Sequence, residues 1–200
     1  MRSAADDIIG LYRRHGLVWA RDRGQQAAEA IWLDRFRAML PEAGTVLDLG
    51  CGSGQPVARY LLDGGLGVVG VDTAPDLLAL ARQACPEAEW HLHDMRTLDL
   101  GRRFAGVLAW NSFFHLGYDD QRRTFPVFRA HAAPGAPLMF TSGPARGEAV
   151  GSYGGEPLYH ASLDPAEYRR LLEQHGFAER AHVAQDPTCG GLTVWLAQAI

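Results

Sequence analysis

The sequence predicts a doubly wound α/β domain: a mostly parallel seven-stranded sheet, helices on both faces, and a C-terminal antiparallel hairpin strand. Three observations carry this expectation. From Gly44 onward short apolar runs alternate with segments of helical periodicity, the rhythm of a parallel sheet. The first apolar run leads directly into a glycine turn, TVLDLGCGSGQ (Thr45 to Gln55). The last two runs, FAERAHVAQD and LTVWLAQA, are joined by DPTCGG with no helix between them. Such neighbours form a hairpin, so one of them runs antiparallel.

The N-terminal fifth reads as helical. Ala28, Trp32, Phe36 and Met39/Leu40 recur at helical spacing, and Pro41 stops the run. VLDL is the first strand; PVARYLL is a helix with Val57, Tyr60 and Leu61 on one face and Gly64 beyond it. GVVGVD is the second strand, and PDLLALARQA a helix opened by Pro75. EWHLHD, GVLAWN and PLMFTS are three further strands. QRRTFPVFRAHAA lies between the last two as a helix expected to kink or restart near Pro126. Gly143 to Ala161, GPARGEAVGSYGGEPLYHA, reads as a long glycine-rich loop at the ligand-bearing edge. SLDPAEYRRLLEQHG then has Asp164 as N-cap, Pro165 at the first helical position, Glu167 to complete a capping box, and Gly176 past the end. No repeat or linker divides the chain. One domain over 1–200 is expected, with 1–42 as a helical cover and 143–163 as a substrate loop.

Composition narrows the partners. The 200 residues are 47% hydrophobic and 21% charged with net charge −4, so no global field attracts nucleic acid or an anionic membrane. No apolar run approaches membrane-spanning length, and the start, MRSAADDIIG, lacks a secretory pattern. Cys51, Cys85 and Cys189 are too few and scattered for a disulfide framework, so a reduced, cytoplasmic setting is expected.

The glycine turn carries the chemistry. In open α/β sheets ligands lie beyond the carboxyl ends of the strands. A dinucleotide site wants G-x-G-x-x-G, freeing backbone donors for pyrophosphate. Here Gly50 and Gly52 fit, but the third place falls on Gln55, and Pro56 removes another donor. Asp48 would add negative charge beside two phosphates, which is unfavourable in a partly dry cleft. S-adenosylmethionine (SAM) removes the conflict, because it has no phosphate and carries an ammonium and a sulfonium. Asp72, 22 positions after Gly50, can accept ribose hydroxyls at the end of the second strand. Asp94 ends the third strand, where a carboxylate can meet the adenine amino group. One acid at a strand end is commonly a turn residue; three at successive ends make a set.

The ordered stretches D-L-G-C-G-S-G, V-G-V-D, H-D-M-R and L-A-W-N resemble the motifs of small single-domain bacterial class I SAM-dependent methyltransferases, over about residues 44–143. The resemblance implies a seven-stranded sheet with its last strand antiparallel. It implies that Asp48, Gly50, Gly52 and Gly54 hold the methionyl part, that Asp72 with Thr73 binds ribose, and that Asp94 and Met95 contact adenine. Trp110 and Asn111 then fall where methyl donor meets acceptor. WNSFFH lacks the Asp/Asn-Pro-Pro-Tyr signature of relatives that methylate nucleic acids or protein amides. In many relatives an N-terminal segment covers the cofactor, which would let Arg23 pair with the SAM carboxylate while Tyr12 and Trp19 shield the cleft.

Methyl transfer needs alignment and exclusion of water, and a base only when the acceptor arrives protonated. His115, after the fourth strand, and His160 are the candidate bases; loop packing is the plain alternative for both. Arg146, Glu148, Tyr153 and His160 of the glycine-rich stretch are candidates to select the acceptor. His91 and His93 share a strand face, but no further ligand lies near them, so no metal site is expected. Cys51 reads as a small side chain in a tight turn. The expected activity is methyl transfer from SAM to a small-molecule acceptor, leaving S-adenosylhomocysteine (SAH). A SAM-binding sensor without turnover and an aminopropyl-type transferase are the competing readings, and a NAD-dependent oxidoreductase fits least.

Overall fold

The structure, a computed structural model, describes residues 4–23 and 29–200. Ala28 of the expected N-terminal periodicity lies outside the described residues. The sheet is built from β1 (Thr45–Leu49), β2 (Gly67–Asp72), β3 (Glu89–Leu92), β4 (Gly106–Ala109), β5 (Pro137–Ser142), β8 (Phe177–Asp186) and β9 (Leu192–Ala199). Their order is β3-β2-β1-β4-β5-β9-β8. The first five are mutually parallel; β9 runs antiparallel between β5 and β8, as the DPTCGG connection requires. Strand order reverses between β1 and β4, and this switch point opens a crevice at their carboxyl ends.

Two apolar layers clamp the sheet. On one face α5 (Tyr118–His131) and α6 (Pro165–Gln174) bury Phe125, Phe128, Tyr168 and Leu172 against Phe140 and Trp195. On the other, α2 (Ala30–Arg37), α3 (Val57–Asp63) and α4 (Pro75–Ala84) bury Trp32, Phe36, Leu61 and Leu78. Strands covered on both faces read as continuous apolar runs, and every residue of β4 and β5 is buried. Two of the large polar tips inside these layers are paired. The Trp32 indole N–H donates to Asp186 at 2.8 Å, and the Tyr168 hydroxyl donates to Gln121 at 2.6 Å.

Several local expectations are corrected. The glycine-rich stretch after β5 is a two-stranded hairpin, β6 (Gly147–Tyr153) and β7 (Glu156–Ser162), separate from the main sheet. Its turn is Gly154–Gly155, both at positive φ, the geometry of a two-residue hairpin connection. Helix α5 runs through Pro126 without restarting, because Phe125 and Phe128 are both anchored in the core. Asp164 does cap α6, accepting from Ala166 N–H at 2.8 Å, but Glu167 pairs with Arg122 at 2.7 Å instead of closing a capping box. The N-terminal fifth holds a 20-residue helix, α1 (Ala4–Arg23), and the shorter α2, which ends before Met39 and Leu40. Strands β3 and β4 stop at Leu92 and Ala109, so Asp94, Trp110 and Asn111 sit just past their strands.

Candidate active site

At the switch point the chain turns sharply after β1. Gly50 and Cys51 N–H both donate to the Val71 carbonyl of β2, at 2.7 and 3.1 Å. Gly50 has φ 75°, and a Cβ there would run into Ser112, whose own hydroxyl is fixed to the Leu49 carbonyl at 2.6 Å. Only glycine meets both demands. Gly52 carries the ring of Trp19 against it; a Cβ at this position would lie 2.9 Å from that ring. Gly54 points away from the cavity and packs on Trp90.

Helix α1 roofs the crevice. Ile8, Ile9, Tyr12, Trp19 and Arg23 line one cavity together with Asp48, Gly50, Gly52, Asp72, Thr73, Asp94, Met95, Trp110, Asn111 and His115. The sequence-predicted cofactor residues, Gly54 excepted, therefore converge on one space. The helix is tied down from both sides. Arg13 donates to the Thr73 carbonyl at 3.0 Å, Arg14 and His15 both reach Glu156 of the hairpin, and Tyr153 donates to Asp22 at 3.0 Å. Arg14 and His15 hold the Glu156 carboxyl down at about 2.

The cavity wall is rich in acids with unequal partners. Asp48 is 2% exposed and has no hydrogen-bond partner among the described residues. Burial, then the nearby charges of Asp72 and Glu29, push its carboxyl up to about 7. Asp72 accepts the N–H of Gly52 and of Ala74, each at 2.9 Å; burial raises its pKa, and these donors oppose the rise. Burial also acts upward on Asp94, but the Arg96 side chain and N–H outweigh it and hold the carboxyl below its usual range. Arg96 also bridges to Asp120 at 2.8 Å, and Arg23 pairs with the buried Glu29. Trp110 is 5% exposed and its indole N–H is without a partner. The Cys51 thiol is driven far up by burial and the adjacent acids, which leaves it inert.

His115 lines the cavity with its two nitrogens committed, Nδ1 to the Tyr159 carbonyl at 2.8 Å and Nε2 to the Tyr12 hydroxyl at 2.9 Å. Burial pulls its pKa down to about 4. His160 is outside the cavity wall, its ring 4.8 Å from that of His115 and 5.0 Å from Phe114. The other hairpin candidates also miss the wall. Arg146 lies over the Tyr118 ring, burial helped by the Glu148 charge raises the Tyr159 phenol pKa, and Tyr153 holds Asp22. His91 pairs with Glu89 at 2.6 Å, His93 with the Asp94 carbonyl at 3.0 Å, and the described residues contain no metal-binding cluster. Ser112, Arg13, Glu29 and Glu156 were missed by sequence reasoning. Ser112, Arg13 and Glu156 act through partners 60 or more positions away, and Glu29 through its burial beside Arg23, so none leaves a local signal.

Comparison with known proteins agrees with this geometry. Residues 46–135 match the family model described as a methyltransferase domain. A dTDP-3-amino-3,6-dideoxy-alpha-D-glucopyranose N,N-dimethyltransferase of Streptomyces fradiae is 36% identical over 116 residues, covering 57% of this chain and 44% of the relative. A trans-aconitate 2-methyltransferase of Azoarcus sp. (strain BH72) is 44% identical over 130 residues, covering 61% of this chain and 46% of the relative. The chain spans about half the length of the curated relatives it matches. A SAM-bound amino pentose methyltransferase from Micromonospora echinaspora shares the fold with a TM-score of 0.71 at 23% identity, over 92% of this chain and 95% of that one. Residues 46–135 thus resemble a methyltransferase domain, and the fold is shared with that amino pentose methyltransferase.

Proposed function

We propose that this chain transfers a methyl group from SAM to a small-molecule acceptor and releases SAH. The observation that carries the reading is the unpartnered, buried Asp48 carboxylate on the wall of a cavity floored by the glycine turn. A buried acid beside Asp72 and Glu29 is stabilised by a cation and opposed by a phosphate. SAM fits this wall, since it brings two cations and no phosphate, and the orphaned Trp110 N–H offers a donor to its oxygens or the acceptor's.

Gly50 and Gly52 let the backbone approach the methionyl part, with Gly54 shaping the turn behind them. Arg23 receives the methionyl carboxylate and Trp19 covers it. Asp72 keeps lone pairs for the ribose hydroxyls, beside Thr73. Asp94 and Met95 border the adenine, and Trp110 and Asn111 face the acceptor. When bound, SAM supplies an electrophilic methyl: the acceptor's lone pair bonds to the methyl carbon while the carbon–sulfur pair stays on sulfur. The chain's own work is alignment and removal of water, done by the roof of α1 over the crevice. The N-terminal cover is thus α1, and the hairpin fastens it.

Small acceptors suit the site, as in the relatives named for amino sugars and trans-aconitate. Of the cavity arginines, Arg23 is assigned to the cofactor and Arg96 is already paired with Asp94 and Asp120, so the wall favours an amine-bearing acceptor over a polycarboxylate. The same acidity and the net charge of −4 oppose nucleic acid. No described helix is long and apolar enough to cross a membrane, and the free cysteines suit the cytoplasm. Incubation with labelled SAM and cell extract tests the reading through SAH formation. Binding of SAM without SAH would leave a sensor, and calorimetry showing NAD bound more tightly than SAM would reject both.

A further inference from the structure

Resting on the methyltransferase reading, we infer that Tyr12 is the residue that orients the methyl acceptor: its hydroxyl oxygen, with its proton spent on His115, accepts a hydrogen bond from the acceptor's N–H or O–H at the transfer point. His115 is the positioning residue behind it.

The argument is a chain of donors and acceptors. The Tyr159 carbonyl can only accept, so His115 Nδ1, 2.8 Å away, carries the ring proton. Burial keeps the imidazole neutral, which leaves Nε2 as a lone pair. The Tyr12 hydroxyl, 2.9 Å from Nε2, must therefore donate to it. A phenol has one proton and two lone pairs, so Tyr12 then presents acceptor capacity alone. Its ring is fixed edge-on between Trp19, with centroids 5.7 Å apart, and His115, at 5.3 Å. Burial and the charge of Asp72 raise the phenol pKa, so it stays protonated and the direction of the bond is held.

Position matches this role. Trp19 rests on Gly52, at the methionyl end, and Ile8 and Ile9 lie at the other end of the roof. Tyr12 is seven residues from Trp19, about 10 Å along the helix, and lines the same cavity as Asn111 and Ser112 just past β4. An acceptor here suits an amine or hydroxyl nucleophile and disfavours a carboxylate oxygen, which brings no hydrogen. It also separates orientation from proton removal. A neutral His115 that already receives a proton bond aligns the nucleophile and does not have to ionise.

The test needs no knowledge of the natural acceptor. Sinefungin replaces the methyl-bearing sulfonium of SAM by a carbon carrying an amino group, so it sets N–H donors at the transfer point. SAM carries charge there without such donors, and SAH carries neither. Dissociation constants for all three are measured by calorimetry on the wild type, Tyr12→Phe and His115→Phe, with thermal melts to establish folding. In Tyr12→Phe the preference for sinefungin over SAH should fall about tenfold or more, as expected for a lost hydrogen bond to a charged group. The preference for SAM over SAH should stay within about twofold, because charge recognition is untouched. His115→Phe should move the sinefungin ratio in the same direction. Both ratios falling together, or neither moving in either variant, overturns the inference. Failure of the wild type to bind SAM or SAH at all would instead overturn the methyltransferase reading.

Discussion

Replacing Asp48 by Asn should make the ligand-free protein more stable, with a gain that grows with pH. The Asp48 carboxyl is raised from 3.8 to about 7, chiefly by burial and then by Asp72 and Glu29. The native state therefore binds the proton over a range where the unfolded chain has released it. Stability falls as pH rises whenever the native state holds more protons, so the loss develops between about 4 and about 7 and then levels off. At about 1.4 kcal/mol per pH unit, the full loss is about 4 kcal/mol, and roughly 2–3 kcal/mol of it lies between pH 5 and pH 8. An Asn at the same place pays a buried-amide cost that does not depend on pH, so the difference between the two pH profiles isolates the charge. For a domain of this size, a loss of roughly 2–3 kcal/mol corresponds to roughly 5–10 °C in Tm. Thermal melts of the wild type and Asp48→Asn across that range should show the wild type losing that much more. Saturating SAM should flatten the wild-type profile, since its cations keep Asp48 ionised at little cost. Asp48→Asn should bind SAM more weakly and SAH with a smaller penalty. Parallel ligand-free profiles for the two proteins would refute the reasoning.

Asp72→Ala removes the acceptor for Gly52 and Ala74 N–H together with the proposed ribose contact, so SAM affinity should drop by a factor on the order of 10–100 while the sheet stays folded. An unchanged dissociation constant by calorimetry would place Asp72 outside the cofactor site. Gly50→Ala forces a side chain to φ 75° and into Ser112, and should both lower Tm and abolish cofactor binding; a variant that binds SAM normally contradicts the turn geometry. Glu156→Gln loosens the bond from the hairpin to Arg14 and His15, so amides of residues 4–23 should exchange faster in the free protein and slow again with SAH. Equal exchange in variant and wild type would mean that the Glu156 pairs do not hold α1 in place.

The glycine-turn wall of the cavity was legible because its constraints are local. Gly50 must accept a positive φ and Asp72 must follow an apolar run, so both leave marks within a few residues of sequence. The DPTCGG connection was equally explicit, since two strands without a helix between them can only pair antiparallel. The GPARGEAVGSYGGEPLYHA stretch was misread although its signal was present. Gly154–Gly155 flanked by GEAVGSY and EPLYHAS is a two-residue hairpin turn, outweighed in the reading by the number of surrounding glycines. Pro126 argued for a break because proline removes one helical bond, whereas the buried Phe125 and Phe128 fix both halves of α5 in one groove.

The acceptor side was hidden for a different reason. Its contacts join residues far apart, Tyr12 to His115 across 103 positions and Arg14 to Glu156 across 142. Neither end of such a pair shows a pattern by itself. His115 alone resembles a base, because an isolated imidazole titrates near neutrality. Only its two partners show that Nδ1 is fixed and Nε2 is occupied, which turns the same residue from a proton acceptor into a clamp on Tyr12. A role read from residue type is thus a statement about a free side chain, and burial replaces it with a role set by partners. The acid before the glycine turn obeys the same rule with the opposite result: Asp48 keeps no partner among the described residues, and burial with the nearby Asp72 and Glu29 makes its charge costly until a cation offsets it.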